Sequence, residues 1–295
     1  MKKSALIIML ASSLLSCEKR IEFDLKESAQ VLSVDATIET NEAPVVILTR
    51  SLNYFSTVSA DVIGQSVVKD AVVTVRNGTT VYPLKRFDAV LPGNVPFSYY
   101  TSDPTRPTEY LRGKEGEKYT LEINWKGQQY FSTTTIPVLR KKVDSLWWEK
   151  VPGAPDTSTR AVLMGRVTDP PGFGDYIRYF TKVNAGTFLP GLTSVFDDLL
   201  VNGTTYNIAI DKGVDRNVDI DFDTFVFFRK GDTVTLKFCN IDRATYEFWR
   251  TTEFSYQSIG NPFSSPTKIL GNVSNGALGY FGGYATQFRT IIIPR

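Results

Sequence analysis

Three aspartates alternate with two apolar residues late in the chain, in the order Asp219-Ile220-Asp221-Phe222-Asp223. Alternate side chains of a β-strand share one face, so this spacing predicts that all three carboxylates point the same way. Hard cations such as calcium take several oxygen ligands, and three adjacent carboxylates repel one another without a cation. A calcium site at Asp219, Asp221 and Asp223 is therefore one interpretation of the motif. The favoured interpretation is an exposed strand face that carries polar residues because it meets water, so we predict no cofactor.

Acidic residues would also have to carry any hydrolytic chemistry, because the chain contains no histidine. That absence excludes histidine-based catalytic triads and the usual histidine zinc sites. The candidate carboxylates are Asp197, Asp198 and Asp219. A glycosidase needs two carboxylates about 5–9.5 Å apart, a distance that the sequence leaves open. We predict a protein without enzymatic activity and keep a carboxylate-based hydrolase as the less favoured alternative.

Two groups of aromatic residues could stack on a ligand. One group lies in or beside a glycine-rich run, residues 271–283, whose glycines allow a tight loop. The other lies in a polar, proline-rich stretch, residues 94–112, which is predicted to be a loop. Structural packing is the favoured interpretation of the glycine-rich run. The alternative, which we keep for both groups, is ligand binding, because aromatic rings in loops can stack on a sugar or a peptide. The candidate residues are Tyr280, Phe281, Tyr284, Tyr99 and Tyr100.

A cysteine near the start of the chain is a candidate for lipid attachment. A basic start precedes an apolar run over residues 5–15, which is too short to persist as a membrane-spanning helix. The run ends at Leu15-Ser16-Cys17 and resembles the bacterial lipobox, after which the cysteine is acylated. Several acyl chains hold a protein durably at a membrane; the alternative is an ordinary signal peptide. The predicted segments are a lipoprotein signal peptide over residues 1–16 and a lipid-anchored tether over residues 17–27.

The charge balance gives no signal for nucleic acid as a partner. The chain has 33 basic and 31 acidic residues, and removal of residues 1–16 would remove two lysines and leave equal numbers. No basic cluster with interleaved aromatic residues is present in the sequence. Cys239 has no second cysteine to pair with once Cys17 is lipidated, so we predict that it is a small buried residue.

Short β segments separated by turn residues follow one another along the chain, a pattern typical of sandwiches and barrels. We predict a mainly β protein, with a Greek-key β-sandwich of immunoglobulin or transthyretin type over residues 28–140. A second β-rich domain is predicted over residues 141–295. Asp242 is a good N-cap before a segment with an apolar face, so one main helix is predicted near residues 242–255.

Several segments of the chain have the residues and order of a known family. They are Cys17-Glu18-Lys19, Leu48-Thr49-Arg50-Ser51, residues 68–75 (VKDAVVTV), Val167-Thr168-Asp169-Pro170, Phe196-Asp197-Asp198, and the most distinctive block, Gly260-Asn261-Pro262-Phe263 through Gly271-Asn272 to residues 276–281 (GALGYF). On these segments the mature chain resembles a Bacteroidetes family of outer-membrane lipoproteins described as domain of unknown function 4249.

The resemblance implies an envelope protein whose family is often encoded beside TonB-dependent receptors, the outer-membrane importers of sugars, peptides and metal chelates. It implies no catalytic residues. Acidic residues soon after Cys17, namely Glu18, Glu22 and Asp24, are compatible with export to the cell surface. We therefore expect an outer-membrane lipoprotein that binds a glycan or peptide for such a transporter, or that forms part of its assembly. The alternative is a structural or adhesive module that binds another protein.

Overall fold

The computed structural model describes residues 30–52, 59–91, 94–261, 263, 265 and 267–295. The predicted signal peptide, the lipidated Cys17 and the predicted tether lie outside these residues. Strands make up 49% of the chain and helices 9%, which confirms the predicted mainly β class with one main helix. Within the described ranges, no helix combines the length and the apolar character needed to cross a bilayer.

The described part of the chain contains fifteen strands and two α-helices. The strands are β1 (Leu32–Glu39), β2 (Val45–Arg50), β3 (Val72–Asn77), β4 (Thr80–Leu91), β5 (Val95–Ser102), β6 (Lys118–Trp125), β7 (Gln128–Thr135), β8 (Lys142–Lys150), β9 (Arg160–Thr168), β10 (Tyr176–Val183), β11 (Leu189–Phe196), β12 (Thr205–Ile210), β13 (Phe228–Arg229), β14 (Thr233–Ile241) and β15 (Leu278–Ile292). The helices are α1 (Ala60–Ser66) and α2 (Arg243–Gln257), and a 3₁₀ turn covers Pro107–Glu109.

Eleven strands form one large sheet, in the order β11-β10-β14-β15-β1-β2-β5-β4-β3-β6-β7. The first strand, β1, lies parallel to the last strand, β15, and the other neighbours in the sheet are antiparallel. The sheet therefore runs without a break through both predicted domains, and the boundary at residue 140 stays a prediction. A small sheet contains β12, β9 and β13, with β8 paired to β9.

The residue pattern of β1 explains why the two faces of the large sheet differ. Its even-numbered residues, from Leu32 to Ile38, are apolar and buried in a first core with residues of β2, β3, β6 and β15. Alternation along the strand places Asp35 and Glu39 on the opposite face. One face of β1 therefore stabilises the fold, and the other face presents carboxylates.

The small sheet and α2 pack on opposite faces of β10 and β14. Val143, Leu163 and Leu236 belong to a second core between the small sheet and these two strands. The helix begins after the predicted N-cap, Asp242, whose Oδ1 accepts a hydrogen bond from the Thr245 N–H at 2.9 Å. Asp242 Oδ2 also accepts from the Thr135 N–H at 3.0 Å, which ties the start of α2 to the end of β7. The predicted helix is confirmed.

The strand on which the shared face of Asp219, Asp221 and Asp223 depends does not form: residues 219–221 have no regular structure and residues 222–226 form a turn. Asp221 Oδ1 accepts a hydrogen bond from the Asp223 N–H at 3.0 Å, and its Oδ2 accepts from the Thr224 hydroxyl at 2.5 Å. Such short-range bonds from aspartate compete with strand pairing. The three carboxylates are therefore not arranged on one strand face.

The predicted loops around both aromatic groups are also wrong in part. Val95–Ser102 forms β5, which pairs with β4 over eight residues, and only the rest of residues 94–112 lacks a strand. Leu278 begins β15, so Tyr280 and its neighbours lie in a strand. β5 forms a local hairpin with β4, in which Leu91 lies opposite Val95. β15 instead pairs with β1, which is distant in the sequence, and with β14.

The glycine-rich run serves close backbone packing. Gly279 has a φ of 95°, and a Cβ on this residue would overlap the carbonyl oxygen of Val34 in the neighbouring strand. The loop before β15 also bonds to the edge of β7, where the Ser274 N–H donates to the Phe131 oxygen at 2.8 Å and the Phe131 N–H donates to Ser274 Oγ at 2.8 Å. These contacts support the structural interpretation of this run.

Candidate functional site

A cleft of about 440 Å³ opens on the face of the large sheet that carries α2. Residues of β1, β2, β10, β11, β14, β15 and α2 line it, and its volume lies within the usual range for sites that bind small molecules. We call it the Arg178 cleft. Its principal polar and aromatic residues are Asp35, Arg178, Lys237, Trp249, Tyr280 and Tyr284.

Arg178 is 4% exposed and is held in one orientation by its neighbours. Its guanidinium carbon lies 3.4 Å from the centre of the Trp249 ring. Arg178 Nε donates a hydrogen bond to Ser194 Oγ at 3.2 Å, and Nη1 donates to the Tyr284 hydroxyl at 3.3 Å. Stacking and directed hydrogen bonds are the two contacts that a planar guanidinium makes best. The cleft thus has a fixed positive charge at its base.

The hydroxyl groups of Tyr284 and Tyr280 connect this charge to Asp35. The Tyr284 oxygen accepts hydrogen bonds from Arg178 Nη1 and from Trp249 Nε1, the second at 3.1 Å. Its own hydrogen is then left to donate to the Tyr280 hydroxyl, 3.2 Å away. Burial raises the pKa of both tyrosines, so both hydroxyls stay protonated at neutral pH. The Tyr280 hydroxyl in turn interacts with the carboxylate of Asp35.

Asp35 is exposed inside the cleft, on the wall formed by β1. The surrounding protein removes part of its hydration and thereby raises the pKa of this carboxyl above its usual value. The positive charge of Arg178 and the hydroxyl of Tyr280 lower the pKa of Asp35 in part. The carboxylate is therefore a costly group for the folded protein at neutral pH.

The other charged side chains of the cleft are already paired. Lys237 Nζ lies 2.6 Å from Glu39 Oε1, and Arg216 Nη2 lies 3.0 Å from Glu253 Oε1. Neither Asp35 nor Arg178 forms a salt bridge with another described residue. A ligand in the cleft would therefore meet one available negative group and one available positive group.

We expect Asp35→Asn to stabilise the protein at neutral pH. The folded-state pKa of Asp35 is raised, so its contribution to stability is fully present below the unfolded pKa of about 3.9 and is lost as the pH rises through the folded pKa. Urea unfolding should show a higher free energy of unfolding for Asp35→Asn than for the wild type at pH 7. This difference should disappear near pH 3.5. Asp156→Asn is the control, because Lys150 lowers the pKa of Asp156. Equal stability of Asp35→Asn and wild type at pH 7 would contradict a raised pKa for Asp35 in the folded protein.

The structure divides the aromatic candidates of the glycine-rich run between two faces of β15. Tyr280 and Tyr284 line the Arg178 cleft and are largely buried in its floor. Phe281 points to the opposite face, where it is fully buried in the first core. Phe281 thus has no exposed surface on which a ligand could stack, because alternation along β15 directs it inward.

Tyr99 and Tyr100 lie on β5, outside the Arg178 cleft. Tyr100 is buried, and its hydroxyl donates to the Val68 carbonyl oxygen at 3.2 Å. Tyr99 is half-buried, with the centre of its ring 5.9 Å from that of Phe87 and 6.1 Å from that of Phe97. Tyr100 therefore belongs to the first core, and Tyr99 packs against aromatic rings of β4 and β5.

The aspartates of the calcium interpretation lie in a different part of the molecule. Asp219 and Asp221 line an open cavity of about 680 Å³ near β13, together with cationic residues such as Arg160 and Lys212. Calcium binding there stays one interpretation, but the shared strand face that suggested it is absent.

Two of the three carboxylates of the hydrolase alternative, those of Asp197 and Asp198, accept hydrogen bonds from neighbouring residues. Asp197 Oδ2 accepts from the Tyr246 hydroxyl at 3.0 Å, and burial, reinforced by this contact, raises the pKa of Tyr246 to about 12. Asp198 Oδ2 accepts from the N–H groups of Gly174 and Asp175 at 2.8 and 3.2 Å. Asp219 does not share a cavity with Asp197 or Asp198. The three carboxylates therefore do not line one site.

A buried charge cluster lies beside them. The carboxylates of Asp169, Asp175 and Asp198 come within 4.8 Å of one another. Lys141 Nζ lies 2.9 Å from Asp169 Oδ2, and Arg140 Nη2 lies 3.5 Å from Asp175 Oδ2. Burial raises the pKa of Asp175, and the negative charges of Asp169 and Asp198 raise it further. The side chains of Lys141 and Arg140 thus place positive charge beside these carboxylates.

Sequence reasoning missed Asp35, Arg178 and Lys237 as site residues. Asp35 had a usable signal, because the alternation of β1 places it opposite the apolar face. Arg178 had none, since its partner Tyr284 is 106 residues away in the sequence. Lys237 pairs with Glu39 across 198 residues, which no local pattern indicates.

A family model described as Domain of unknown function (DUF4249) matches residues 18–290. The matched range includes the whole Arg178 cleft and the glycine-rich run. No curated protein is significantly similar to this chain in sequence. The match covers most of the chain and confirms the family number that the distinctive segments indicate, so the chain belongs to the DUF4249 family.

Proposed function

We propose that this protein is a non-enzymatic lipoprotein of the outer membrane, exposed at the cell surface, that binds a ligand for a TonB-dependent transporter. The Arg178 cleft is the observation that carries the binding role. It combines a suitable volume, aromatic walls and two charged groups of opposite sign without salt-bridge partners. Ionisable groups with shifted pKa values are concentrated at functional sites, and Asp35, which lines the cleft, has a raised pKa.

The charges of the cleft favour a peptide over a neutral glycan. Asp35 would attract the amino group of a peptide, and Arg178 would attract its carboxylate. Arg178 Nη2 makes no hydrogen bond to any described residue, so it remains able to bind a carboxylate oxygen. Trp249 adds an aromatic wall against which an apolar side chain could pack.

The anchor and the location rest on the sequence around Cys17 and on the family resemblance. Acylation at Cys17 would hold the β-structure at the membrane through several chains. The equal numbers of acidic and basic residues expected after loss of the signal peptide leave no general attraction to anionic surfaces. The lipid, rather than net charge, would therefore determine the location.

We expect short peptides with free termini to bind the full-length chain carrying Cys17→Ser, measured by titration calorimetry. Asp35→Asn in that chain should weaken binding about tenfold, equivalent to ~1.4 kcal/mol, through loss of the contact with the amino group. Asp156→Asn, at an exposed residue outside the cleft, is the matched control and should bind like the parent.

The same peptides with acetylated and amidated ends separate the ligand classes. They should bind at least tenfold more weakly than the free peptides, because they lack both terminal charges. Equal binding of blocked and free peptides, or binding of neutral oligosaccharides alone, would contradict the peptide assignment.

A structural or adhesive module remains the second candidate. Phe222 and Ile259 are exposed apolar residues that line one open cavity, and patches of such residues often mark protein contacts. A concave aromatic cleft is not what a purely adhesive module needs, so ligand binding is the function that the geometry supports best.

A further inference from the structure

A second cavity, of about 230 Å³, lies within the second core. It is located between β10 and β14 of the large sheet and β9 and β12 of the small sheet. We call it the intersheet cavity. Buried side chains form its inner wall, among them Val167, Ile177 and Leu236. It is separate from the Arg178 cleft, because Tyr179 of β10 lines the cavity whereas Arg178 lines the cleft on the opposite face.

The wall of the intersheet cavity is mainly apolar, and the polar side chains among its described lining residues are Tyr179, Tyr206 and Asp197. Asp197 is the only charged residue among the described lining residues. Its Oδ2 accepts a hydrogen bond from the Tyr246 hydroxyl, and its Oδ1 accepts from the Leu199 N–H at 3.3 Å. An ordered water needs two to four polar partners, whereas most of the described lining side chains are apolar. The cavity therefore favours an apolar molecule over water or an ion.

The mouth of the cavity is apolar as well. β12 covers the core only partly, since Tyr206 and Ile208 are half-buried. Leu200 is 97% exposed at the rim, and Phe196 is exposed beside it. Exposed apolar residues that surround an opening mark a ligand-binding entrance more often than a purely structural surface. An apolar molecule would reach the interior without passing a charged barrier.

We propose that the intersheet cavity binds an uncharged apolar molecule of about eight to ten carbon atoms, such as an alkylated aromatic compound. An apolar cavity of ~150 Å³ accommodates benzene, and the intersheet cavity is about one and a half times as large. Binding would replace empty space by dispersion contacts with the buried side chains of both sheets. This site would be independent of the charged ligand proposed for the Arg178 cleft.

The test uses p-xylene and the full-length chain carrying Cys17→Ser. Calorimetry should show one binding site, and the midpoint of thermal unfolding should rise with p-xylene concentration. Ile208→Trp places a larger ring at the mouth and should weaken binding at least tenfold. Ile292→Trp is the matched control, since Ile292 is exposed at the end of β15 and lines none of the cavities described above.

Val201→Phe, at another lining residue, serves as a second blocking variant if Ile208→Trp does not fold. Loss of binding in a blocking variant and retention in Ile292→Trp supports the proposal. Absence of p-xylene binding to the parent chain up to the solubility limit overturns it. Equal binding by parent and blocking variants places the ligand elsewhere and also overturns it.

Discussion

Lys141→Met is expected to lower the free energy of unfolding by about 3–5 kcal/mol, the usual cost of leaving one partner of a buried ion pair uncompensated. Lys141 and Asp169 have side chains only 1% and 0% exposed, with Nζ 2.9 Å from Oδ2. Asp175 and Asp198 lie close to the same site, so loss of Lys141 leaves three carboxylates facing Arg140 alone. Urea unfolding followed by circular dichroism measures the loss.

Lys150→Met is the matched control for that variant. Lys150 pairs with Asp156 at 2.7 Å, but their side chains are 64% and 91% exposed. Water screens such a pair, so its loss should change the stability by less than about 1 kcal/mol. Similar losses in the free energy of unfolding for both variants would show that the buried ion pair contributes no more to stability than the exposed one.

Gly279→Ala is expected to cost about 4 kcal/mol or more, among the larger effects of single substitutions. The new Cβ would overlap the Val34 carbonyl oxygen, and the φ of 95° is itself unfavourable for alanine. Relief of the overlap requires β1 and β15 to separate, and this parallel pair joins the first strand to the last. The midpoint of thermal unfolding reports the change.

Gly276→Ala tests whether the close approach, rather than the backbone angle, causes the effect. Gly276 has a φ of 73°, but a Cβ there would meet nothing within 4 Å. Its expected cost is only about 1–2 kcal/mol, from the left-handed conformation alone. A loss for Gly276→Ala as large as that for Gly279→Ala would refute the overlap argument.

Local sequence patterns predict the parts of the fold that depend on local physics. The alternation in β1 and the N-cap at Asp242 identify a strand and a helix, because side-chain period and capping are properties of neighbouring residues. The pairing of β1 with β15 has no such signal, since the two strands are separated by more than two hundred residues. The alternation at residues 219–223 was misleading because local hydrogen bonds from Asp221 favour turns.

Two segments that carry the family resemblance meet in the buried charge cluster. Asp169 belongs to the Val167-Thr168-Asp169-Pro170 segment and Asp198 to the Phe196-Asp197-Asp198 segment. Their carboxylates converge near Lys141. The sequence shows these acids as separate motifs, and only the tertiary structure shows that their carboxylates lie together, with Lys141 paired to Asp169.

The candidate site was predicted only in part for the same reason. Tyr280 and Tyr284 were identified from a loop that is in fact a strand, and they line the cleft because β15 lies beside β1 and β14. Their partners Asp35, Arg178 and Trp249 come from three other elements. A binding site assembled from that many elements cannot be predicted from any single motif.

Labelling with palmitate, followed by outer-membrane fractionation and gentle purification, tests the proposed anchored transport accessory most directly. The wild-type chain should incorporate palmitate, fractionate with the outer membrane and co-purify with a TonB-dependent receptor. Cys239→Ala is the control and should behave like the wild type, because Cys239 is buried and its pKa is raised to about 12, so it is not the acylated cysteine. Cys17→Ala should lose the label and leave the membrane fraction. An unlabelled wild type, a Cys17→Ala form that fractionates like wild type, or the absence of any receptor would contradict this account.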